Sequence, residues 1–144
     1  MKKYDIVIFG ATGFTGKLIC DYLLNHDESK KLNIALAARN KEKLNDVSNN
    51  FKDINPDIII ADSFDEESID SMTKKARLIL TVVGPYSLYG EYLVESCIKN
   101  STHYVDLTGE PDFVSSIRKN FSDQAIKSKS IIVNSCGLES IVPD

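Results

Sequence analysis

Short, almost purely apolar runs alternate along this chain with longer amphipathic stretches. The apolar runs predict six strands, at residues 6–9, 34–38, 58–61, 78–83, 104–107 and 131–134. The nearly continuous run at 78–83 is typical of a strand that is covered on both faces. Because strands alternate with helical patterns, we predict an α/β fold with a doubly wound parallel sheet in the strand order 3-2-1-4-5-6 and helices on both faces.

The stretches between these runs predict helices, each with one apolar face. Ser63 and Glu66 have the spacing of a capping box at the start of one helix, another helix covers residues 91–99, and a third begins at Pro111. The predicted inward faces consist of Leu18, Ile19, Tyr22 and Leu23 in the first helix, Ile69, Met72 and Ala76 in the helix after Ser63, and Phe113, Ile117, Phe121 and Ala125 in the last.

Composition and charge narrow the class of protein. The 144 residues suffice for one domain with a buried core, and the net charge of −4 with scattered lysines argues against a nucleic-acid surface. No apolar stretch approaches the length of a membrane span and the N-terminus lacks the features of a signal peptide, so we expect a cytoplasmic location. Cys20, Cys97 and Cys136 form no Cys-x-x-Cys pair and no metal-ligand spacing with histidine, so we expect reduced thiols and no metal site.

The most specific motif is Gly10-Ala11-Thr12-Gly13-Phe14-Thr15-Gly16, which follows the first strand and opens the first helix. Its glycine spacing is a variant of the dinucleotide fingerprint of Rossmann-type sheets. Glycines there allow a tight turn and let backbone N–H groups approach a pyrophosphate at the positive end of a helix. The predicted contacts to the pyrophosphate are Gly10, Thr12, Gly13, Phe14, Thr15 and Gly16.

The second strand ends in Arg39-Asn40, and no carboxylate stands among Ala37, Ala38 and Arg39. A carboxylate at this point would accept a hydrogen bond from the ribose 2′-hydroxyl of NAD, whereas a guanidinium pairs with the 2′-phosphate of NADP. We therefore predict that Arg39 and Asn40 bind the ribose end and that the cofactor is NADP rather than NAD. The alternative is that Arg39 is only a solvated residue at a strand end.

Further candidates for cofactor binding follow the later strands, because ligands of such sheets bind at the carboxyl ends of the strands. Asp62 either accepts a hydrogen bond from the adenine amino group or is a carboxylate favoured at a helix start. Gly84 and Pro85 either let the backbone approach the cofactor or form an ordinary turn. Cys136 and Gly137 are placed beside the nicotinamide.

The candidates for catalysis are Asp106, Glu110 and Tyr86. Asp106 and Glu110 are two carboxylates of one loop that could bind a substrate amine or exchange a proton; the alternative is that Asp106 or Thr108 caps the helix that follows. Tyr86, with Tyr89, either walls the nicotinamide side of the cleft or packs at its rim. No tyrosine has a lysine four residues further on, so the Tyr-x-x-x-Lys pair of short-chain reductases is absent.

Six sequence blocks at these strand ends together resemble the N-terminal domain of the saccharopine dehydrogenase-like oxidoreductases, in particular the subgroup of the trans-acting enoyl reductases. The blocks are residues 10–16, 38–40, 61–63, 83–86, 103–110 and 135–137. The resemblance implies that residues 1–144 are the NADP-binding domain and that a second, substrate-binding domain lies C-terminal to residue 144. Family members often read Gly-Phe-Asp-Ser-Ile-Pro where this chain has Gly137-Leu138-Glu139-Ser140-Ile141-Val142-Pro143, which leaves the role of Glu139 open.

The function implied by the resemblance is hydride transfer to a C=C, C=N or C=O bond of a small-molecule or lipid-like substrate, with a link to lipid or glycolipid metabolism. The alternative is a sensor that binds NADP without turnover; an NAD-dependent epimerase or dehydratase would need the absent Tyr-x-x-x-Lys pair. We expect the domain alone to bind cofactor without catalysis and to self-associate as a homo-oligomer through apolar residues near Leu138 and Ile141. Association of the full-length protein with membranes or lipid droplets is left open.

Arg39 yields the first testable prediction. The domain should bind NADPH more tightly than NADH by about 1–3 kcal/mol, because a guanidinium–phosphate contact is a charge-assisted hydrogen bond. The Arg39→Ala variant should lose this preference. Calorimetric titration of both proteins with both cofactors measures it, and equal affinities in the parent, or an unchanged preference in the variant, would contradict the prediction.

Overall fold

The computed structural model describes residues 1–137, in which six strands alternate with helices. The strands are β1 (Tyr4–Phe9), β2 (Ile34–Ala38), β3 (Asp57–Ile60), β4 (Ala76–Thr81), β5 (His103–Asp106) and β6 (Ile132–Val133). The helices are α1 (Phe14–Asn25), α2 (Lys41–Asn49), α3 (Glu66–Lys75), α4 (Tyr86–Lys99) and α5 (Pro111–Ser128), with a short 3₁₀ helix at Asp27–Lys31. No helix in this part of the chain is long and apolar enough to cross a membrane.

The strands form one parallel sheet in the order β3-β2-β1-β4-β5-β6, as predicted. In the centre of the sheet, Ile8 of β1 lies opposite Leu36 of β2 and Leu80 of β4. Every residue of β2 is buried, as expected for a strand covered on both faces. The predicted α/β fold is therefore confirmed.

Neighbouring residues of a strand point to opposite faces of the sheet, and this alternation divides the core into two layers. Ile8 and Leu36 belong to the layer that α1 and α2 cover. Val7, Ile79 and Tyr104 belong to the larger layer that α3, α4 and α5 cover. The carboxyl ends of all six strands remain at one edge of the sandwich, where the connecting loops form the functional surface.

The inward face of α1 differs from the sequence-based prediction. The buried row is Gly16, Cys20 and Leu24, whereas Leu18 and Tyr22 are 56% and 65% exposed. Ile19 and Leu23 pack at the margin of the core. The hydrophobic pattern was misleading because Gly16, which carries no apolar side chain, occupies the position of closest approach and thereby sets the rotation of the helix.

Three local boundaries also differ from the prediction. The cap of α3 is Asp65, whose carboxylate accepts a hydrogen bond from the Glu67 N–H at 3.2 Å, so the capping box predicted at Ser63 is wrong. Ala76 is not on α3 but begins β4. Helix α4 begins at Tyr86, five residues before the predicted start, because a carboxylate from a distant loop caps it, as described below.

The glycine loop is held together by close backbone contacts. Gly10 has a φ of +95°, which favours glycine, and a Cβ there would lie 2.9 Å from a methyl group of Val82. A Cβ at Gly16 would overlap the carbonyl oxygen of Gly10. A Cβ at Gly13 would meet only that same oxygen, at an ordinary distance of 3.4 Å. Gly10 and Gly16 therefore serve the fold, whereas Gly13 has room around it.

These contacts predict opposite effects of two matched alanine substitutions. Gly16→Ala should lower the free energy of unfolding by about 1–3 kcal/mol, because the added methyl group forces α1 away from the loop. Gly13→Ala should cost less than about 1 kcal/mol, since it adds a methyl group to open space at a helix N-cap. Urea denaturation of both variants measures the difference, and equal losses of stability would contradict the assignment.

Candidate functional site

A cleft of about 330 Å³ opens at the carboxyl ends of the four strands β1 to β4. It brings together six of the residues predicted to bind cofactor, namely Gly10, Thr12, Gly13, Arg39, Asp62 and Gly84. Ser63, Phe64, Val83 and Tyr89 also line it. The other predicted contacts, Phe14, Thr15, Gly16, Asn40, Pro85, Cys136 and Gly137, are not part of its lining.

The N-terminus of α1 points its first N–H groups out of the glycine loop without a side-chain cap. Helix geometry leaves the N–H groups of Phe14, Thr15 and Gly16 without an acceptor inside the helix, and the first intrahelical bond runs from Lys17 N to Gly13 O. Gly13 is exposed and lines the cleft. Backbone donors, a positive helix end and free space therefore meet at this one position, which suits a phosphate group.

The N-termini of the next three α-helices are closed by side chains. Asn40 accepts a hydrogen bond from Lys43 N in α2, Asp65 accepts one from Glu67 N in α3, and Glu110 closes α4. Asn40 was also predicted to bind cofactor; it lies outside the cleft lining, and its carboxamide oxygen forms this cap. Arg39, its neighbour, is exposed, lines the cleft and makes no ion pair within residues 1–137.

Asp62 and Phe64 form the wall of the cleft after β3. One carboxylate oxygen of Asp62 accepts a hydrogen bond from the Phe64 N–H at 3.1 Å, so Asp62 shapes this turn as well as facing the cleft. The ring of Phe64 is 74% exposed and meets the ring of Tyr89 edge to face, with 5.0 Å between centroids. Sequence reasoning missed Phe64; an aromatic residue in a polar turn directly after a strand was the available signal.

Asp106 is fully buried, and four donors surround its carboxylate. The Tyr104 hydroxyl and the Asn134 amide donate to one oxygen at 2.8 and 2.7 Å. The backbone N–H groups of Thr108 and Ser135 donate to the other at 3.1 and 2.8 Å. Asp106 thus ties the end of β5 to the end of β6, and its hydrogen bonds are those of a residue that holds two loops in place.

Glu110 spans from the loop after β5 to the start of α4. Its two carboxylate oxygens accept hydrogen bonds from Tyr86 N at 2.7 Å and Ser87 N at 2.9 Å. Hydrogen bonds from Ser87 and Tyr86 lower the pKa of Glu110 below its ordinary value of 4.5. The alternative that Asp106 or Thr108 caps α5 is wrong, because the N-cap position of α5 is Glu110 and α5 has no side-chain cap.

Tyr86 is buried rather than exposed to the cleft, and its ring packs 6.0 Å from that of Phe113. Its hydroxyl donates to the Thr81 carbonyl at 3.3 Å and accepts from Leu107 N at 3.4 Å. Burial raises the pKa of the Tyr86 hydroxyl, which makes it a poorer acid. Tyr89, in contrast, lies in the cleft wall.

The loop after β6 lies against the Asp106 cluster. The Cys136 N–H donates to the Asp106 carbonyl at 2.8 Å, and burial raises the pKa of the half-buried Cys136 thiol. This thiol is therefore not activated as a nucleophile. A Cβ at Gly137 would lie 3.2 Å from the Leu107 carbonyl oxygen, so Gly137 packs closely against the end of β5. The role of Glu139 and the self-association predicted near Leu138 and Ile141 concern residues that lie outside the part of the chain that the structure describes.

A second, larger groove of about 560 Å³ runs between α5 and β6. Its lining is mainly apolar and includes Phe121, Ala125 and Ile126. It contains no residue of the glycine loop and neither Arg39 nor Asp62. Despite its greater volume, and although Arg118 lines it, this groove does not lie at a glycine loop that opens a helix, which is the feature that marks the cleft beside Gly13 as the candidate site.

The chain matches a known protein family over most of its length. Residues 6–134 match the family described as the saccharopine dehydrogenase NADP binding domain. The chain is 38% identical over 150 residues to the lipid droplet localized protein of Caenorhabditis elegans. The alignment covers 100% of this chain and 35% of that protein. It is 37% identical over 145 residues to the trans-acting enoyl reductase of Mycobacterium tuberculosis, covering 99% of this chain and 34% of that protein.

Among solved structures, the chain superposes on apo saccharopine dehydrogenase (L-Glu forming) of Saccharomyces cerevisiae with a TM-score of 0.76. The identity is 18%, over 95% of this chain and 28% of that chain, so this likeness supports the fold. The chain spans about a third of the length of the curated relatives it matches.

The cap that Glu110 supplies predicts a pH-dependent contribution to stability. Because the pKa of Glu110 is lower in the folded chain than the ordinary value of 4.5, its stabilising effect is complete above that pH and is lost as the pH falls through the folded-state pKa. Glu110→Gln should lower Tm at pH 7 and should flatten the acid side of the Tm profile. Glu91→Gln, a change at an exposed glutamate of the same helix, is the control. Parallel profiles of the Glu110 variant and the parent would refute the cap.

Proposed function

Because this chain belongs to the saccharopine dehydrogenase NADP-binding domain family, we propose that it binds NADP in the cleft at the ends of β1 to β4 and so serves hydride transfer in a longer oxidoreductase. The observation that carries the proposal is the uncapped N-terminus of α1 beside the open space at Gly13. A pyrophosphate fits there because it needs backbone N–H donors and positive potential, and both are present.

The ribose and adenine ends of the cofactor are assigned to neighbouring strand ends. Ala38 of β2 lies opposite Ile60 of β3, so Arg39 and Asp62 follow at similar heights along the sheet. We assign the 2′-phosphate to the guanidinium of Arg39 and the adenine amino group to Asp62. The absence of a carboxylate at the end of β2 supports NADP over NAD.

The nicotinamide, when bound, supplies or accepts a hydride, and the protein orients it and excludes water. We propose that Asp106 and Glu110 support the loops around the nicotinamide end and take no direct part in proton transfer, since their carboxylates already accept four and two hydrogen bonds. The raised pKa of the Tyr86 hydroxyl likewise argues against a role for Tyr86 as a proton donor. Proton transfer to substrate is then assigned to a second domain, C-terminal to residue 144, of the longer protein.

The substrate of the longer protein is proposed to contain a reducible C=C, C=N or C=O bond. The name of the mycobacterial relative, trans-acting enoyl reductase, supports the first of these and a lipid-like substrate. The name of the nematode relative supports a location at lipid droplets. Self-association of the domain stays a prediction, which the exposed side chains of Ile126, Ile131 and Val133 favour.

The alternative function, an NADP sensor without turnover, is favoured by one observation. The candidate catalytic carboxylates within residues 1–137 already serve the structure, so the domain contains a binding site with no acid or base assigned to it. Assays of NADPH oxidation by the full-length protein with enoyl, imine and ketone substrates separate the two functions.

The binding site itself is tested at Gly13. Gly13→Val should abolish NADPH binding, because a branched side chain fills the space where the pyrophosphate lies, while the melting temperature without cofactor changes by only a few degrees. Gly13→Ala, which adds a single methyl group, should give an intermediate loss. Thermal melts with and without NADPH measure both effects.

A Gly13→Val variant that NADPH stabilises as well as it stabilises the parent would contradict the assignment of this cleft.

A further inference from the structure

Phe64 is a large aromatic residue in the candidate cleft. It takes part neither in the phosphate site proposed at the glycine loop nor in the ribose contact proposed at Arg39. Its side chain is 74% exposed although it lies beside the half-buried Asp62 and Ser63. Exposure of this much apolar ring surface is unfavourable in water, and the burial of a ligand against the ring would recover that free energy. The position of the ring in a concave site, rather than on a convex surface, points to a ligand contact.

The turn that carries Phe64 is rigidly held. Asp62 accepts hydrogen bonds from Phe64 N through its side chain, at 3.1 Å, and from Asp65 N through its carbonyl, at 3.0 Å. The Ser68 hydroxyl accepts from Asp62 N at 3.0 Å and donates to the Asp65 carbonyl at 2.9 Å. The turn is therefore anchored on the first residues of α3, and the backbone that carries the Phe64 ring is held in place before any ligand binds.

Tyr89 supports the ring of Phe64 from α4. The two rings are nearly perpendicular, at 85° with centroids 5.0 Å apart, which is a favourable edge-to-face geometry. An edge-to-face contact leaves a face of Phe64 uncovered, in agreement with its exposure. A free aromatic face in a fixed orientation can stack on a flat heteroaromatic ring.

We propose that Phe64 is the surface on which the adenine of the dinucleotide stacks, an inference that rests on the proposed function. The base belongs at this strand end because β3 is the neighbour of β2, whose end carries Arg39, the residue assigned to the 2′-phosphate. Asp62 then has two tasks: it faces the base, and it positions the Phe64 backbone. Phe64 contributes affinity for the adenosine half of any dinucleotide, and Arg39 contributes the choice between NADP and NAD.

Titrations of the 144-residue domain with NADPH, NADH and adenosine 2′,5′-bisphosphate test the proposal. Phe64→Ala should raise Kd for all three ligands by a similar factor of about ten, the effect expected when one stacked aromatic ring is removed. Phe64→Tyr, which keeps the ring, should stay within about twofold of the parent. Tyr22→Ala, a change at an exposed aromatic residue on the outer side of α1, is the matched control and should change no Kd.

A ligand that carries only the other half of the cofactor separates stacking from a general effect on the site. Phe64→Ala should leave the affinity for reduced nicotinamide mononucleotide unchanged, whereas Arg39→Ala should alter the ratio of the Kd values for NADH and NADPH, which Phe64→Ala preserves.

The outcomes separate the stacking role of Phe64, the assignment of the adenine and the proposed function. A parent domain that binds NADPH while Phe64→Ala binds it equally well overturns the stacking role and leaves the proposed function intact. Loss of NADPH affinity without loss of affinity for the bisphosphate overturns the adenine assignment. A parent domain that binds none of these ligands overturns the proposed function together with the inference.

Discussion

The contact between Gly16 and the carbonyl of Gly10 is the constraint on which the functional end of this domain depends. A helix can approach a preceding loop this closely only where no Cβ intervenes. The contact sets the rotation of α1, so that Gly16, Cys20 and Leu24 face the sheet. It also brings the first turn of the helix directly against the end of β1. The N–H groups at the start of α1, which have no acceptor inside the helix, therefore follow directly on Gly13, which lines the cleft.

The polar side chains around this site divide into those that the fold uses and those that remain available. Asn40, Asp65 and Glu110 close the N-termini of α2, α3 and α4, and Asp106 joins the ends of β5 and β6. The three caps accept hydrogen bonds from helix N–H groups that have no acceptor inside the helix, and the buried carboxylate of Asp106 is satisfied by four donors, so these contacts stabilise the loops at the carboxyl edge. Within residues 1–137, α1 and α5 begin without a side-chain cap. α1 begins at the glycine loop that lines the cleft, whereas α5 begins at Pro111, which has no N–H group, so α1 is the helix suited to an anion at this site.

This division gives the carboxyl edge of the sheet two unlike sides. On the β2 and β3 side lie a cation, a half-buried carboxylate and an exposed aromatic ring, in Arg39, Asp62 and Phe64. These groups suit the phosphate and base of a nucleotide, which are recognised by charge, hydrogen bonding and stacking. On the β4 and β5 side, Glu110 and Asp106 are occupied by structural hydrogen bonds. The described groups that suit a nucleotide thus lie on the β2 and β3 side, whereas the carboxylates on the β4 and β5 side hold loops in place.

The sequence by itself determined the sheet, its strand order and the phosphate loop, because these follow from local signals: apolar runs, alternation with helices and glycine spacing. It also placed Arg39 correctly at the edge of the cleft. Only the tertiary structure decided which face of α1 is buried, because a glycine contact outweighed the apolar side chains of Leu18 and Tyr22. It likewise decided the roles of Asp106 and Glu110, whose donors lie up to 29 residues away in sequence, and it revealed the exposed ring of Phe64. Hydrogen bonds between distant loops and the exposure of a single ring leave no periodic trace in a sequence, since they depend on how separate strand ends meet in space.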